Sequence, residues 1–148
     1  MKKERTETSP GTVPADSAAA AGCPGLSCPV FLGGFMASGK TTVGRLLAER
    51  LGVPFLDTDD LVERLAGLSV AELFARRGES VFRAFEAEVV KELLPLRSVV
   101  VALGGGVPTN RELRSLLLER GFLAMLSVSA PTALFRAGTS GSRPLLDP

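Results

Sequence analysis

The chain reads as an α/β protein, a parallel sheet flanked by helices, and two observations predict this. From residue 30 onward, short apolar runs of β type alternate with amphipathic stretches of helical period, the order that builds a parallel sheet covered on its faces. The segment Gly34-Phe35-Met36-Ala37-Ser38-Gly39-Lys40-Thr41 also fits the pattern G-x-x-x-x-G-K-[ST]. It lies between a strand-like run, Val30-Phe31-Leu32, and a helix-like one, the context such a loop requires. At 148 residues the chain amounts to one domain, long enough to bury a core.

Each element has its own signal. Strands are expected over 30–33, 54–56, 98–103 and 122–127, where apolar and β-branched residues run between turn formers. After Thr41, the residues Val43, Leu46, Leu47 and Leu51 fall on one helical face, with Gly52 as the stop and Pro54 beyond it. Asp59 or Asp57 can cap a helix over 60–65. Ser69 caps a helix over 70–77, Glu72 stands in the capping-box position, and Gly78 closes it. The next helix opens near Glu79 with Phe82, Phe85, Val89 and Leu93 inward, and Pro95 ends it. Asn110 caps another, with Leu113, Leu116 and Leu117 inward and Gly121 as its stop. A short helix over 131–136 leads into the tract Gly138-Thr139-Ser140-Gly141-Ser142. Residues 1–28 carry no such pattern and are expected to form a disordered leader, with the folded domain at 29–148.

Composition excludes several function classes. Seventeen basic residues against sixteen acidic ones leave a net charge of +1, so nothing in the balance points to nucleic acid or a membrane surface. Histidine, tryptophan and tyrosine are absent, which removes Ser-His-Asp catalysis, histidine-metal sites and base-stacking platforms built on those residues. Cys23 and Cys28 are too few for a disulfide scaffold or a four-ligand zinc site. No stretch approaches a membrane span, and the leader lacks the apolar run of a secretory signal. A cytoplasmic protein is expected.

The chemistry is therefore left to carboxylates, lysine, arginines and backbone N–H groups. In the glycine loop, successive N–H groups and the following helix N-terminus cradle an anion, Lys40 reaches the β/γ-phosphates, and Thr41 offers a hydroxyl to Mg²⁺. In parallel sheets ligands collect outside the carboxyl ends of the strands. The second strand is followed there by Asp57-Thr58-Asp59, the third by Gly104-Gly105-Gly106. Two aspartates two apart in extended backbone project to one side, so one can serve a metal and the other a substrate hydroxyl; the alternative is a helix cap. Three glycines in a row suit a ligand approaching the main chain closely, against the alternative of a tight turn. Arg83 and Glu86 fit a plain (i, i+3) ion pair on a helix.

With these residues in view, the chain resembles shikimate kinase, a small P-loop kinase of the nucleoside monophosphate kinase type that phosphorylates the 3-hydroxyl of shikimate with Mg-ATP. The resemblance runs over residues 30–148 through the glycine loop continued by Thr42-Val43-Gly44-Arg45, then Phe55-Leu56-Asp57-Thr58-Asp59, the stretch from Gly78 to Glu86, Ala102-Leu103-Gly104-Gly105-Gly106-Val107, and Arg143-Pro144-Leu145-Leu146. It implies a three-layer P-loop fold, here lacking the final strand and helix. It also implies ATP and Mg²⁺ as cofactors. Gly34, Ala37, Ser38, Gly39, Lys40, Thr41 and Thr42 would hold the phosphates; Thr41 and, through water, Asp57 the metal. Asp59, Arg83 and the backbone of Gly104, Gly105 and Gly106 would hold shikimate. Lys40, Asp59 and Arg143 take the catalytic roles: Asp59 as base or orienter of the attacking hydroxyl, Arg143 on a lid over the transferring phosphoryl group. Arg136 faces the adenine end. The small-molecule substrate is the implied partner, with no nucleic acid and no membrane, for a monomer. The chain departs from the family's pattern at Ala37, where glycine is usual, and at Pro148, where the family continues through a further arginine-bearing helix, strand and closing helix. The rival readings are a nucleotide-binding module without turnover and a related kinase such as gluconate kinase.

Overall fold

In a computed structural model of the chain, residues 26–138 are described. Their order is β1 (Val30–Gly34), α1 (Lys40–Leu51), β2 (Phe55–Asp57), α2 (Thr58–Ala66), α3 (Val70–Arg77), α4 (Glu79–Leu93), β3 (Val100–Ala102), α5 (Arg111–Arg120), β4 (Phe122–Leu126) and α6 (Ala130–Gly138), with a 3-10 turn at Val107–Thr109 before α5. The sheet runs β2-β3-β1-β4 and all its pairings are parallel, with Val30 opposite both Val100 and Phe122. Among the described residues no helix is long and apolar enough to cross a membrane.

The two central strands are apolar on both faces, as a parallel sheet sandwiched between helices requires. Alternate residues of β1 go to opposite sides: Phe31 joins Val101, Leu103 and residues of α2 to α5 in the larger core, while Leu32 joins Val100 and Ala48 of α1 in the smaller one. The three layers are thus α1, the sheet, and the other side's helices. α1 packs through only part of the face its large apolar residues suggest: Leu47 and Leu51 lie against the smaller core. Val43 and Leu46 are exposed and the buried positions are Gly44 and Ala48, because a Cβ on Gly44 would strike the Phe55 ring and Leu32. Small residues let the helix axis come close to the sheet, and that proximity decides which face turns inward.

Other boundaries move for local reasons. The strand expected over 98–103 contracts to three residues, the length over which it pairs with β1 and β2. The strand expected over 54–56 extends to Asp57, and the helix after it starts at Thr58 rather than residue 60, because the Asp57 carboxylate caps it by accepting the Asp59 N–H at 3.0 Å. Ser69 and Glu72 form the expected capping box. Gly121 ends α5 in extended backbone, not in the left-handed region; its need for glycine is steric, since a Cβ would sit 2.5 Å from the Pro29 carbonyl oxygen. Leu26, assigned to the leader by its sequence, packs on the smaller core, and its carbonyl accepts the Ser98 hydroxyl at 2.9 Å. Residues 1–25 of the leader, Arg143 and the expected lid lie outside the described residues.

Candidate active site

The strand order brings the site together. From β1 the chain leaves toward β2, and from β3 it leaves through α5 toward β4, so the loops after two adjacent strands part in opposite directions and open a crevice between them. A cavity of about 960 Å³ occupies this rim. Lys40, Thr41, Asp57, Asp59, Arg83 and Gly105 all line it.

On its β1 side the glycine loop turns through left-handed backbone at Gly34 (φ 146°), Ala37 (φ 58°) and Gly39 (φ 92°). At Gly34 glycine is also sterically required, because a Cβ would lie 2.5 Å from the Leu126 carbonyl oxygen and 2.8 Å from Ser38 Oγ. Ala37 adopts this conformation as the one non-glycine residue with positive φ among those described. α1 has no side-chain cap and no acid in its first turn. Its first N–H groups, from Lys40 to Thr42, and the positive end of its dipole are therefore available to an anion. Ser38 Oγ is buried without a hydrogen-bond partner inside the same loop. Lys40 Nζ donates to the carbonyls of Gly34 (2.8 Å) and Phe35 (2.9 Å), holding its ammonium over the loop. Arg136, on α6, donates from Nη1 to the Ala37 carbonyl at 3.3 Å, placing it at the loop's outer edge.

Across the base of the loop, Thr41 donates its hydroxyl to Asp57 Oδ2 at 2.9 Å, while Oδ1 of the same carboxylate caps α2. Asp57 thus takes the capping role, while its second oxygen is bonded to the Thr41 hydroxyl beside the phosphate loop. The two aspartates do share the cavity, but through a different geometry from the one expected. Asp59 is in the first turn of α2, so the strand-to-helix corner, and not the two-residue repeat of a strand, turns it inward. A hydroxyl and a carboxylate oxygen beside a phosphate loop suit magnesium, which takes few protein ligands and retains water and phosphate oxygens. Among the described residues no group of three or more His, Cys, Asp or Glu could hold a metal without such help.

The acceptor side is formed by α4 and the loop after β3. Arg83 Nη1 donates to Glu86 Oε2 at 2.7 Å, and its Nη2 reaches Glu79 at 3.2 Å. Glu86 is 2% exposed, and its Oε1 has no partner. Burial pushes the Glu86 carboxyl above the ordinary carboxylate value; the hydrogen bond and charge of Arg83 oppose this, and Glu79 adds to it. For Arg83, burial acts to lower the guanidinium's pKa, but the hydrogen bond and charge of Glu86, with those of Glu79, outweigh it and the net shift is upward. The three glycines have distinct reasons. A Cβ on Gly104 would strike Glu86 Oε1 and come within 3.0 Å of Asp59 Oδ1, and one on Gly106 would strike the Arg83 guanidinium. Two of the three therefore make room for the site's own side chains. Gly105, whose Cβ would meet nothing nearer than 3.7 Å, presents open backbone to the cavity, as a ligand-facing glycine should.

Glu86 is the site residue that sequence reasoning underrates. The available signal is its position four residues after Phe82 on the stripe that also carries Val89 and Leu93: a carboxylate on a core-facing stripe is expected to be paired and buried.

The shikimate kinase family model matches residues 36–148. The chain belongs to the shikimate kinase family. It is 51% identical over 117 residues to a shikimate kinase of Moorella thermoacetica, covering 79% of this chain and 68% of that one. With the shikimate kinase of Synechococcus elongatus it shares 45% identity over 117 residues, covering 79% and 61%. A solved structure, a shikimate kinase from Acinetobacter baumannii in complex with shikimate, superposes with a TM-score of 0.79 at 40% identity, covering 82% of this chain and 68% of that one. The 148 residues thus span between about three-fifths and two-thirds of the length of these relatives.

Proposed function

We propose that the protein transfers the γ-phosphoryl group of ATP to the 3-hydroxyl of shikimate, giving shikimate 3-phosphate and ADP, as a cytoplasmic monomer with no nucleic-acid or membrane partner. The observation that carries this reading is the meeting of the phosphate loop, Asp59, Arg83 and the open Gly105 backbone in one cavity. A phosphate loop alone supports nucleotide binding; the acid, the guanidinium and the bare backbone facing it supply an acceptor site for a small hydroxylated carboxylic acid.

The residues divide the work. The N–H groups of the loop and the first turn of α1 hold the phosphates, Lys40 takes the β/γ-phosphates, and Arg136 flanks the adenine end. Magnesium would be held by Thr41 and, through water, by Asp57, and when bound it neutralises charge on the β- and γ-phosphates. Arg83 pairs with the acceptor's carboxylate, and Glu86 on its Nη1 and Glu79 on its Nη2 hold the guanidinium in place. Asp59 orients the attacking hydroxyl and accepts its proton as the O–P bond forms. Arg143, outside the described residues, is assigned to the charge of the transferring group.

The test is a ³¹P NMR and coupled ADP-release assay with Mg-ATP and shikimate. Shikimate 3-phosphate accompanied by one ADP per product is the expected result. Product with gluconate and none with shikimate would move the acceptor assignment to another kinase of this fold, and ATP binding without ADP release would favour a nucleotide-binding module.

A further inference from the structure

Thr58 stands between the two aspartates of the site but does not line the cavity, and it is completely buried (0% exposed). Its Oγ1 accepts the Gly104 N–H at 2.8 Å, a buried bond between residues 46 apart in sequence. Gly104 is the point at which the acceptor half converges. Its Cα faces Glu86 Oε1 and Asp59 Oδ1, Gly105 follows with its backbone open to the cavity, and Gly106 lies against the Arg83 guanidinium.

The other anchors of this glycine run point elsewhere. Leu103 N–H is held by the Leu32 carbonyl of β1 at 2.9 Å, and the Gly104 carbonyl closes the 3-10 turn by accepting the Val107 N–H at 3.1 Å. The Thr58 bond ties the run to the start of α2, the element that carries Asp59. The geometry points to Thr58 as a positioning residue of the acceptor site: its hydroxyl sets where the Gly105 backbone and Arg83 stand relative to Asp59. This rests on the reading of that half of the cavity as the shikimate site. The nucleotide half has its own fixings, with Lys40 over the Gly34 and Phe35 carbonyls and Thr41 on Asp57. Loss of the Thr58 hydroxyl therefore acts on one ligand and not the other.

The isosteric change Thr58→Val removes the acceptor and leaves a buried N–H without a partner; Thr58→Ser keeps the hydroxyl. Calorimetric titration of the 148-residue chain and both variants with shikimate and with ADP reads the two halves separately. T58V is expected to bind shikimate about tenfold more weakly with its ADP affinity within about twofold of the parent, and T58S to bind both ligands like the parent. Hydrogen exchange supplies a reading that requires no ligand: the Gly104 amide is protected in the parent and in T58S and exchanges at least about tenfold faster in T58V. Equal shikimate affinity in parent and T58V overturns the assignment, as does equal loss of both ligands, which marks a structural role for the whole corner. Rapid Gly104 exchange in the parent overturns it even if T58V fails to fold. A parent that binds ADP and not shikimate instead refutes the acceptor reading on which the assignment depends.

Discussion

Ala37→Gly isolates the strain stored in the phosphate loop. Ala37 has φ 58°, a conformation in which an L side chain crowds the neighbouring carbonyl oxygen at a cost of about 1–2 kcal/mol that glycine avoids. Against this, glycine gains freedom in the unfolded chain, which takes back roughly 0.4–1 kcal/mol. The net expectation is a stabilisation of about 0.5–1 kcal/mol, corresponding to a rise in Tm of roughly 2–4 °C for a domain of this size. The Arg136 hydrogen bond goes to the Ala37 carbonyl and survives the substitution, so no lost contact confuses the measurement. Thermal unfolding followed by circular dichroism, with urea unfolding as a second measure, gives the stability; titration with ADP gives the affinity. If the loop keeps this backbone with nucleotide bound, the strain is equal in both states and ADP affinity stays within about twofold. A lower Tm in the variant would refute the strain argument. A large gain in affinity would show instead that nucleotide binding forces Ala37 further into the disfavoured region.

Three further outcomes follow from the same geometry. Gly106→Ala places a methyl group against the Arg83 guanidinium, the far end of a flexible side chain, so the fold tolerates it while Arg83 is displaced; shikimate affinity should fall about tenfold in a calorimetric titration with Tm nearly unchanged. Gly121→Ala meets the Pro29 carbonyl and the Phe31 ring, neither of which can easily yield, and should cost about 1–3 kcal/mol in urea unfolding. For Glu86, burial raises the folded-state pKa, so the stability linked to its titration is fully present below the unfolded carboxylate value and is lost as pH rises through the raised folded value. The stability of the parent relative to Glu86→Gln, measured by urea unfolding across that window, should therefore decline with rising pH; a difference that grows with pH contradicts a burial-dominated shift.

What the sequence discloses and what it hides divide along the reach of each interaction. The phosphate loop is legible because its requirements are local: glycines where φ is positive, a lysine one residue into the helix, and a hydroxyl next to it. The strain at Ala37 is foreseeable on the same ground. The aspartate pair is also found, but the two-residue repeat that suggested it does not apply, since the chain changes from strand to helix between Asp57 and Asp59. That corner is made by Asp57 itself, whose capping bond to the Asp59 N–H converts a helix signal into the device that aims the second carboxylate. The glycine triplet follows β3 as expected, and its reasons are only partly foreseen. Nothing within a few residues of Gly104 or Gly106 indicates that Glu86 and Arg83, from the preceding helix, occupy the space their missing Cβ atoms leave. For the same reason the inward face of α1 is only half legible: apolar periodicity finds Leu47 and Leu51 but also weights Val43 and Leu46, whereas the distance between helix and sheet is set by Gly44 against the Phe55 ring. In each case a residue missing a side chain matters through a neighbour distant in sequence, and a pattern that counts the side chains present has no means of registering it. An acid on a core-facing stripe is the exception, because Glu86 announces a buried partner by its own chemistry, and the glycine opposite it is then the consequence to look for.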